Sequence, residues 1–94
     1  MIGHVCPVCG YDGLRYPPEN FHICPCCGVE FGYHDFTLTH EQLRHMWLMS
    51  GGLWWDDETA RPQSWSPLKQ LQKLSYIPSI EERDALARGQ MAAA

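Results

Sequence analysis

Basic residues are scarce in the first third of this 94-residue chain. Residues 1–36 contain one, Arg15, against four acidic side chains, and the whole chain carries a formal net charge of −4. Proteins that bind nucleic acid rely on Lys and Arg side chains to neutralise phosphates. We therefore expect no nucleic-acid partner.

Long apolar runs and leader-like segments are also missing. The start, MIGHVCPVCG, has neither the basic region nor the apolar core of a signal peptide, and no apolar run approaches the roughly 18 residues that cross a membrane. We therefore expect a cytoplasmic protein with no membrane partner. Thiols stay reduced in the cytoplasm, so a chain with five cysteines and two C-x-x-C pairs is predicted to use those pairs to bind metal rather than to form disulfides.

Fingerprints of the common enzyme classes are absent too. The sequence contains no Gly-x-Ser-x-Gly elbow, P-loop or dinucleotide-binding pattern. The segment HEQLRH resembles a zinc-peptidase helix, but His40 and His45 are five residues apart and fall on different faces. We interpret the acidic run 56–58 as a solvated loop. An enzyme is therefore the less favoured hypothesis, and no catalytic residue is assigned.

Four of the cysteines lie in two copies of one pattern, Cys-Pro-x-Cys-Gly. Cys6 and Cys9 belong to the first copy, and Cys24 and Cys27 to the second, which gives the spacing C-x2-C-x14-C-x2-C. This spacing is close to that of structural zinc ribbons. Proline favours the tight turn, and the glycine permits a left-handed backbone. We predict that these four cysteines bind one zinc ion per chain in a closed structural site. Iron is the alternative, because four thiolates accept either metal.

The fifth cysteine, Cys26, lies inside the second pattern. We interpret it as a small apolar filler that points away from the metal. The alternative is a reactive thiol acting as the nucleophile of an enzyme. His4 and His22, each two residues before a cysteine pair, are interpreted as residues that cover the site or lie at the surface.

The two cysteine patterns resemble those of zinc-ribbon and rubredoxin-like four-cysteine knuckle proteins. The CPCC tetrad at residues 24–27, followed by VEFGYHDF, also resembles the bacterial CPCC-type cysteine-rich proteins. The resemblance covers residues 4–36. It implies zinc binding and a ribbon fold for that part of the chain.

Local patterns predict a small α+β protein. β-prone stretches at residues 2–5, 14–16, 21–23 and 29–31 flank the cysteine pairs and predict an N-terminal zinc ribbon of short β-hairpins over residues 1–36. Capping signals at Thr39, Ser66 and Ser79 predict up to three helices in residues 37–94, packed on the ribbon as one compact unit. The first helix is expected to end at the glycine pair 51–52 and the last near Gly89.

All four tryptophans lie between residues 47 and 65. A chain this small struggles to bury four indoles, and aromatic residues with methionine are typical of protein interfaces. We therefore predict a partner-binding surface and a protein partner, with a homodimer as one form. The predicted surface consists of Trp47, Leu48, Met49, Trp54, Trp55 and Trp65. The predicted function is a structural zinc module for protein interaction, and a rubredoxin-like iron electron carrier is the alternative.

Overall fold

The computed structural model describes residues 3–93. In this range the chain forms four α-helices: α1 (His34–Thr37), α2 (His40–Met49), α3 (Pro67–Leu71), which continues into a 3₁₀ turn (Gln72–Leu74), and α4 (Ile80–Ala93). Turns and extended loops carry the cysteine pairs before α1 and connect α2 to α3. None of the helices in this range is long and apolar enough to cross a membrane.

The predicted ribbon of β-hairpins is wrong, and with it the α+β class. Residues 3–36 contain no β-strand, and each cysteine turn is closed by one isolated bridge, His4 with Leu14 and Ile23 with Glu30. The residues that flank the two bridges lead directly into the cysteine turns and into Pro17-Pro18. Proline has no backbone N–H, so these two residues cannot extend a ladder of hydrogen bonds between strands. Position 2, in the first predicted strand, lies outside the described residues. The described chain is helical, with two cysteine turns held on loops.

The predicted start and end of α2 are confirmed. The Thr39 hydroxyl accepts from the Gln42 N–H at 3.0 Å, and the Gln42 side-chain oxygen accepts from the Thr39 N–H at 2.8 Å. This reciprocal capping box satisfies two backbone donors at the helix start. After the helix, Gly51 and Gly52 take φ values of +108° and +60°, which glycine adopts readily. Ser66 is the N-cap of α3, as the sequence predicts, and its hydroxyl accepts from the Lys69 N–H.

The end of the last helix was predicted wrongly, because α4 continues through Gly89 to Ala93. Gly89 lies against Gly51, and a Cβ at position 89 would overlap the Gly51 backbone. Next to it, the Gln90 amide donates to the carbonyls of Gly51 and Gly52 at 2.9 and 3.2 Å. Gly89 therefore permits the close approach of α4 to the end of α2 and does not terminate a helix.

A buried carboxylate joins α4 to α2. Glu82 is 2% exposed and accepts from the Tyr76 hydroxyl at 2.6 Å, the Ser79 N–H at 2.9 Å and His45 Nδ1 at 2.7 Å. Burial acts to raise the pKa of Glu82, but these hydrogen bonds outweigh it and hold the pKa below its usual value. Burial and the bond to Glu82 raise the pKa of Tyr76 to about 12.

The hydrophobic core draws on both the cysteine turns and the helices. Val8 and Phe31 come from the loops, while Leu48, Leu71 and Leu86 come from α2, α3 and α4. The predicted division between residues 36 and 37 falls inside α1 and stays a prediction.

We predict that Glu82→Gln lowers the free energy of unfolding by about 1–3 kcal/mol at neutral pH, because a charge-assisted acceptor is lost in a buried site. The carboxyl has a lower pKa in the folded state, so its contribution is complete above the unfolded pKa of about 4.3 and is lost as the pH falls through the folded pKa. Urea unfolding at several pH values checks this, with the exposed neighbour Glu81→Gln as the control. Equal effects of the two substitutions would contradict the analysis.

We also predict that Gly89→Ala destabilises the protein by about 1–3 kcal/mol, because the new methyl group must push α4 away from α2. Helix propensity alone predicts the opposite sign, a gain of about 1 kcal/mol. Thermal unfolding of the variant separates the two explanations. A raised melting temperature would show that the Gly51–Gly89 contact does not constrain the helices.

Candidate metal centre

The four cysteines of the two repeated patterns meet in the structure. Their Sγ atoms all lie within 4.8 Å of one another, with 3.8 Å between Cys6 and Cys27 and 3.7 Å between Cys9 and Cys24. A tetrahedron with metal–sulfur bonds of about 2.3 Å has sulfur–sulfur edges of about 3.8 Å. The four predicted ligands are therefore positioned to bind one metal ion, and a tetrahedral set of sulfurs suits zinc or iron.

The two turns adopt the same backbone conformation. Gly10 and Gly28 have φ values of +86° and +78°, and their N–H groups donate to the carbonyls of Cys6 and Cys24 at 2.9 and 2.8 Å. A residue with a Cβ would be strained in this region. The glycine of each Cys-Pro-x-Cys-Gly pattern thus closes the turn that presents both of its sulfurs.

The sulfur cluster lies in the interior, which controls its ionisation. Burial raises the pKa of the Cys9 thiol, and the neighbouring Cys24 thiol raises that of Cys27. The pKa of Cys6 is lowered, because the thiols of Cys24, Cys27 and Cys9 hydrogen-bond to its sulfur. Cys9 and Cys27 therefore resist ionisation, whereas Cys6 ionises more readily than a free thiol. A bound divalent ion would favour the thiolate form of its ligands and displace their protons.

Arg44 of α2 holds the first cysteine turn. Its Nε donates to the Val8 carbonyl and its Nη2 to the Pro7 carbonyl, both at 2.7 Å. The guanidinium also stacks on Tyr76, 4.7 Å from the ring centre. The helix thereby fixes the turn and places a positive charge on the backbone between Cys6 and Cys9.

Gln70 of α3 connects the two cysteine turns. Its buried side-chain amide donates to the Cys9 carbonyl at 3.0 Å and to the Cys26 sulfur at 3.3 Å, while its oxygen accepts from the Trp65 indole at 2.8 Å. The backbone of Gln70 lies so close to Gly10 that a Cβ there would overlap it. The position of α3 therefore depends on the conformation of both cysteine turns.

The second turn is held by the segment that follows α2. The N–H groups of Trp55 and Asp56 donate to the carbonyls of Cys26 and Pro25, both at 2.9 Å. The Trp55 indole lies against Gly28, where a Cβ would overlap the ring. Backbone carbonyls in both turns are thus bonded by residues from the second half of the chain.

Cys26 lies outside the cluster of four sulfurs and is fully buried. Its position agrees with the interpretation as a filler. The hydrogen bond from Gln70 adds a polar contact that this interpretation did not include. A buried, hydrogen-bonded thiol is a poor nucleophile, because attack needs access to solvent and an ionised sulfur.

Two members of the predicted partner surface are buried. Trp47 and Leu48 belong to the core, and the Trp47 indole donates to the Leu53 carbonyl at 2.9 Å. Neither side chain is available for a partner in this arrangement. Both residues lie on α2, which contacts α4 and, through Arg44, the first cysteine turn. The helix therefore carries apolar residues on more than one side.

The other four members divide into two pairs. Trp54 and Trp65 are half-buried and meet edge to face, with ring centres 5.7 Å apart. Met49 and Trp55 remain exposed, at 42% and 55%. A contact of these exposed residues with another protein stays a prediction.

A groove runs beside the metal centre between α2 and the segment after it. Its volume is about 480 Å³. It is lined by Cys27, Gly28, Val29, Met46, Leu53 and Trp55, among others. We call it the Cys27 groove, because Cys27 is the only one of the four clustered cysteines on its wall.

The remaining candidate ligands lie apart from the sulfur cluster. His22 stacks on the Tyr16 ring, and His4 is exposed at its bridge. Asp56 accepts hydrogen bonds from the Glu58 N–H and the Thr59 hydroxyl, which closes a local turn. None of these residues belongs to the cluster of four sulfurs, and exposed His4 agrees with the interpretation as a surface residue.

Arg44 and Gln70 are the residues at this site that sequence reasoning missed. Arg44 is 36 residues from Val8 in sequence and Gln70 is 61 from Cys9, so no local pattern connects either residue to the metal ligands. The only signal in the sequence is indirect. Thiolates and turn carbonyls need hydrogen-bond donors, and the chain has only seven Lys and Arg residues that could supply them.

Comparisons with known protein families, with curated proteins and with solved structures find no match to this chain. The assignment of the site therefore rests on its geometry: four cysteine sulfurs, from two identical turns, positioned to bind one metal ion.

Proposed function

We propose that the protein is a small zinc-binding module whose metal has a structural role and which acts by contacting another protein. The observation that carries the metal proposal is the cluster of four sulfurs within 4.8 Å, three of them fully buried. Four protein ligands would complete a tetrahedral shell and leave no open position for a substrate or water. A closed site of this kind favours structure over hydrolysis.

Zinc is supported by what surrounds the sulfurs. Arg44, Gln70 and the Trp55–Asp56 backbone all bond to carbonyls of the two cysteine turns. An ion that fixes the turns also fixes the surfaces on which α2, α3 and the loop after α2 pack. Structural zinc contributes on the order of 10–16 kcal/mol in small peptides, much of it as folding free energy. A redox-inert ion suits that role.

A rubredoxin-like iron carrier is the second candidate, and one observation favours it. Cys27 is partly exposed on the wall of an open groove, which would give an electron a short route to the surface. Iron bound by four thiolates is coloured and loses its colour on reduction, whereas zinc bound by the same ligands is colourless. An absorption spectrum of the purified protein therefore separates the two candidates.

The proposed contact surface lies around the Cys27 groove. Met46, Leu53 and Trp55 are exposed and line this groove, and Met49 is exposed on the same helix as Met46. Methionine and tryptophan are enriched in protein interfaces, and buried tryptophans often dominate their binding energy. We propose a second copy of this chain as the partner, because a two-fold contact sets the same apolar patch against itself.

We predict that Cys9→Ser weakens zinc binding by more than about 100-fold, since loss of a ligand exceeds the 10–100-fold effect typical of residues behind the ligands. Cys26→Ser is the matched control and is expected to retain one zinc per chain, because Cys26 lies outside the cluster. Competition with a chromogenic chelator measures both variants. Equal zinc affinity in Cys9→Ser and the unmodified protein would contradict the proposed site.

We predict that Trp55→Ala shifts the protein from dimer to monomer, because the variant removes the largest exposed side chain of the proposed surface. Sedimentation equilibrium over a range of concentrations measures the change. Ile77→Ala, which removes an exposed apolar side chain outside the groove, is expected to leave association unchanged. A monomer at every concentration in the unmodified protein would overturn self-association.

A further inference from the structure

We propose that Cys27 is the point at which peroxides and thiol-directed electrophiles attack the metal centre, and that its oxidation with Cys6 releases the metal. The inference rests on the metal site proposed above. It concerns a property that a purely structural site does not require, namely a defined order in which the four sulfurs react.

Unequal burial of the four sulfur-bearing residues is the first observation. Cys6, Cys9 and Cys24 are fully buried, whereas Cys27 is only partly so. The sulfur–sulfur distance does not favour one pair over the other, because it is 3.8 Å for Cys6–Cys27 and 3.7 Å for Cys9–Cys24. Access therefore decides which pair reacts first.

The groove that reaches Cys27 is the second observation. Its walls include Val29, Met46, Leu53 and the exposed indole of Trp55, and none of its described lining residues is acidic or basic apart from His34. The Nδ1 atom of His34 accepts from the Glu30 N–H at 2.8 Å, so its neutral ring carries the proton on Nε2. Small uncharged reagents can therefore approach Cys27 without passing a carboxylate.

The opposite side of the cluster is closed. Gln70 donates to the Cys9 carbonyl and to Cys26 from a buried position, and α3 lies directly on the first cysteine turn. The guanidinium of Arg44 covers the Pro7 and Val8 carbonyls between Cys6 and Cys9. A reagent that approached Cys9 from this side would have to displace these contacts first, and Cys24 is itself fully buried.

The chemistry balances with a peroxide as the oxidant. The Cys27 thiolate attacks one oxygen of hydrogen peroxide, the O–O bond breaks, and a sulfenic acid and hydroxide form. The Cys6 thiolate then attacks the Cys27 sulfur, and a second hydroxide leaves as the disulfide forms. Two thiolates are oxidised and one peroxide is reduced. The disulfide would remove two of the four sulfur ligands, and Cys9 and Cys24 alone would hold a bound ion much more weakly.

The first experiment treats the metal-loaded protein, diluted until sedimentation shows it to be monomeric so that no second copy covers the groove, with substoichiometric N-ethylmaleimide. The modified cysteine is mapped by peptide mass spectrometry, while a chromogenic chelator records metal release. We expect Cys27 to be modified first and metal release to follow the same time course. We expect Trp55→Ala to accelerate both several-fold, because it uncovers the turn at Gly28, and Ile77→Ala to change neither. First modification at any other cysteine overturns the proposal.

The second experiment replaces the electrophile with hydrogen peroxide and identifies the first disulfide. A bond between Cys6 and Cys27 is expected, whereas a first bond between Cys9 and Cys24 overturns the proposed order. The metal content of each sample before treatment tests the proposed function separately. The order of thiol modification is read from the peptides whatever that content is, so the two ideas can fail independently.

Discussion

Four sulfur atoms lie within 4.8 Å of one another in the interior of this protein, and all four can be ionised there only if a cation balances their charge. Neighbouring thiolates about 4 Å apart repel strongly where water is excluded. Burial raises the pKa of Cys9, and the hydrogen bond with Cys24 raises the pKa of Cys27, so neither sulfur ionises readily without a cation. Cys6, Cys9 and Cys24 belong to the hydrophobic core and Cys27 packs against it, so an ion bound by their sulfurs would both balance the charge and hold the core packing together.

The helices are attached to this centre by polar contacts to backbone carbonyls. Arg44 joins α2 to the first turn, Gln70 joins α3 to it, and the Trp55–Asp56 backbone joins the second turn. α4 is connected indirectly, through Glu82 and through the close contact of Gly51 with Gly89. A chain of this length has a modest core, and such chains commonly need a metal, a disulfide or a partner for stability. An ion bound by the four sulfurs would supply that stability, because it would fix the positions of the carbonyls that the helices bond.

Features set by neighbouring residues were predictable from the sequence, and features set by distant residues were not. The four ligands and the capping of α2, α3 and α4 follow from patterns a few residues long. A strand forms only if pairing continues for several residues beyond a bridge. The β-prone composition of these segments does not determine how far the pairing continues, so the predicted strands are absent. Gly89 looks like a helix stop until its neighbour Gly51 is known, and the burial of Trp47 depends on what covers α2. Arg44 and Gln70 act across 36 and 61 residues of chain, beyond the reach of any local pattern.

The most direct test of a four-sulfur metal centre is X-ray absorption at the metal edge on protein purified from cells supplied with both zinc and iron. The account predicts one zinc per chain surrounded by four sulfur atoms at about 2.3 Å. A shell that contains nitrogen or oxygen ligands would contradict the four-cysteine site. Protein that retains no metal after dialysis would contradict the central claim that a cation holds the two turns together.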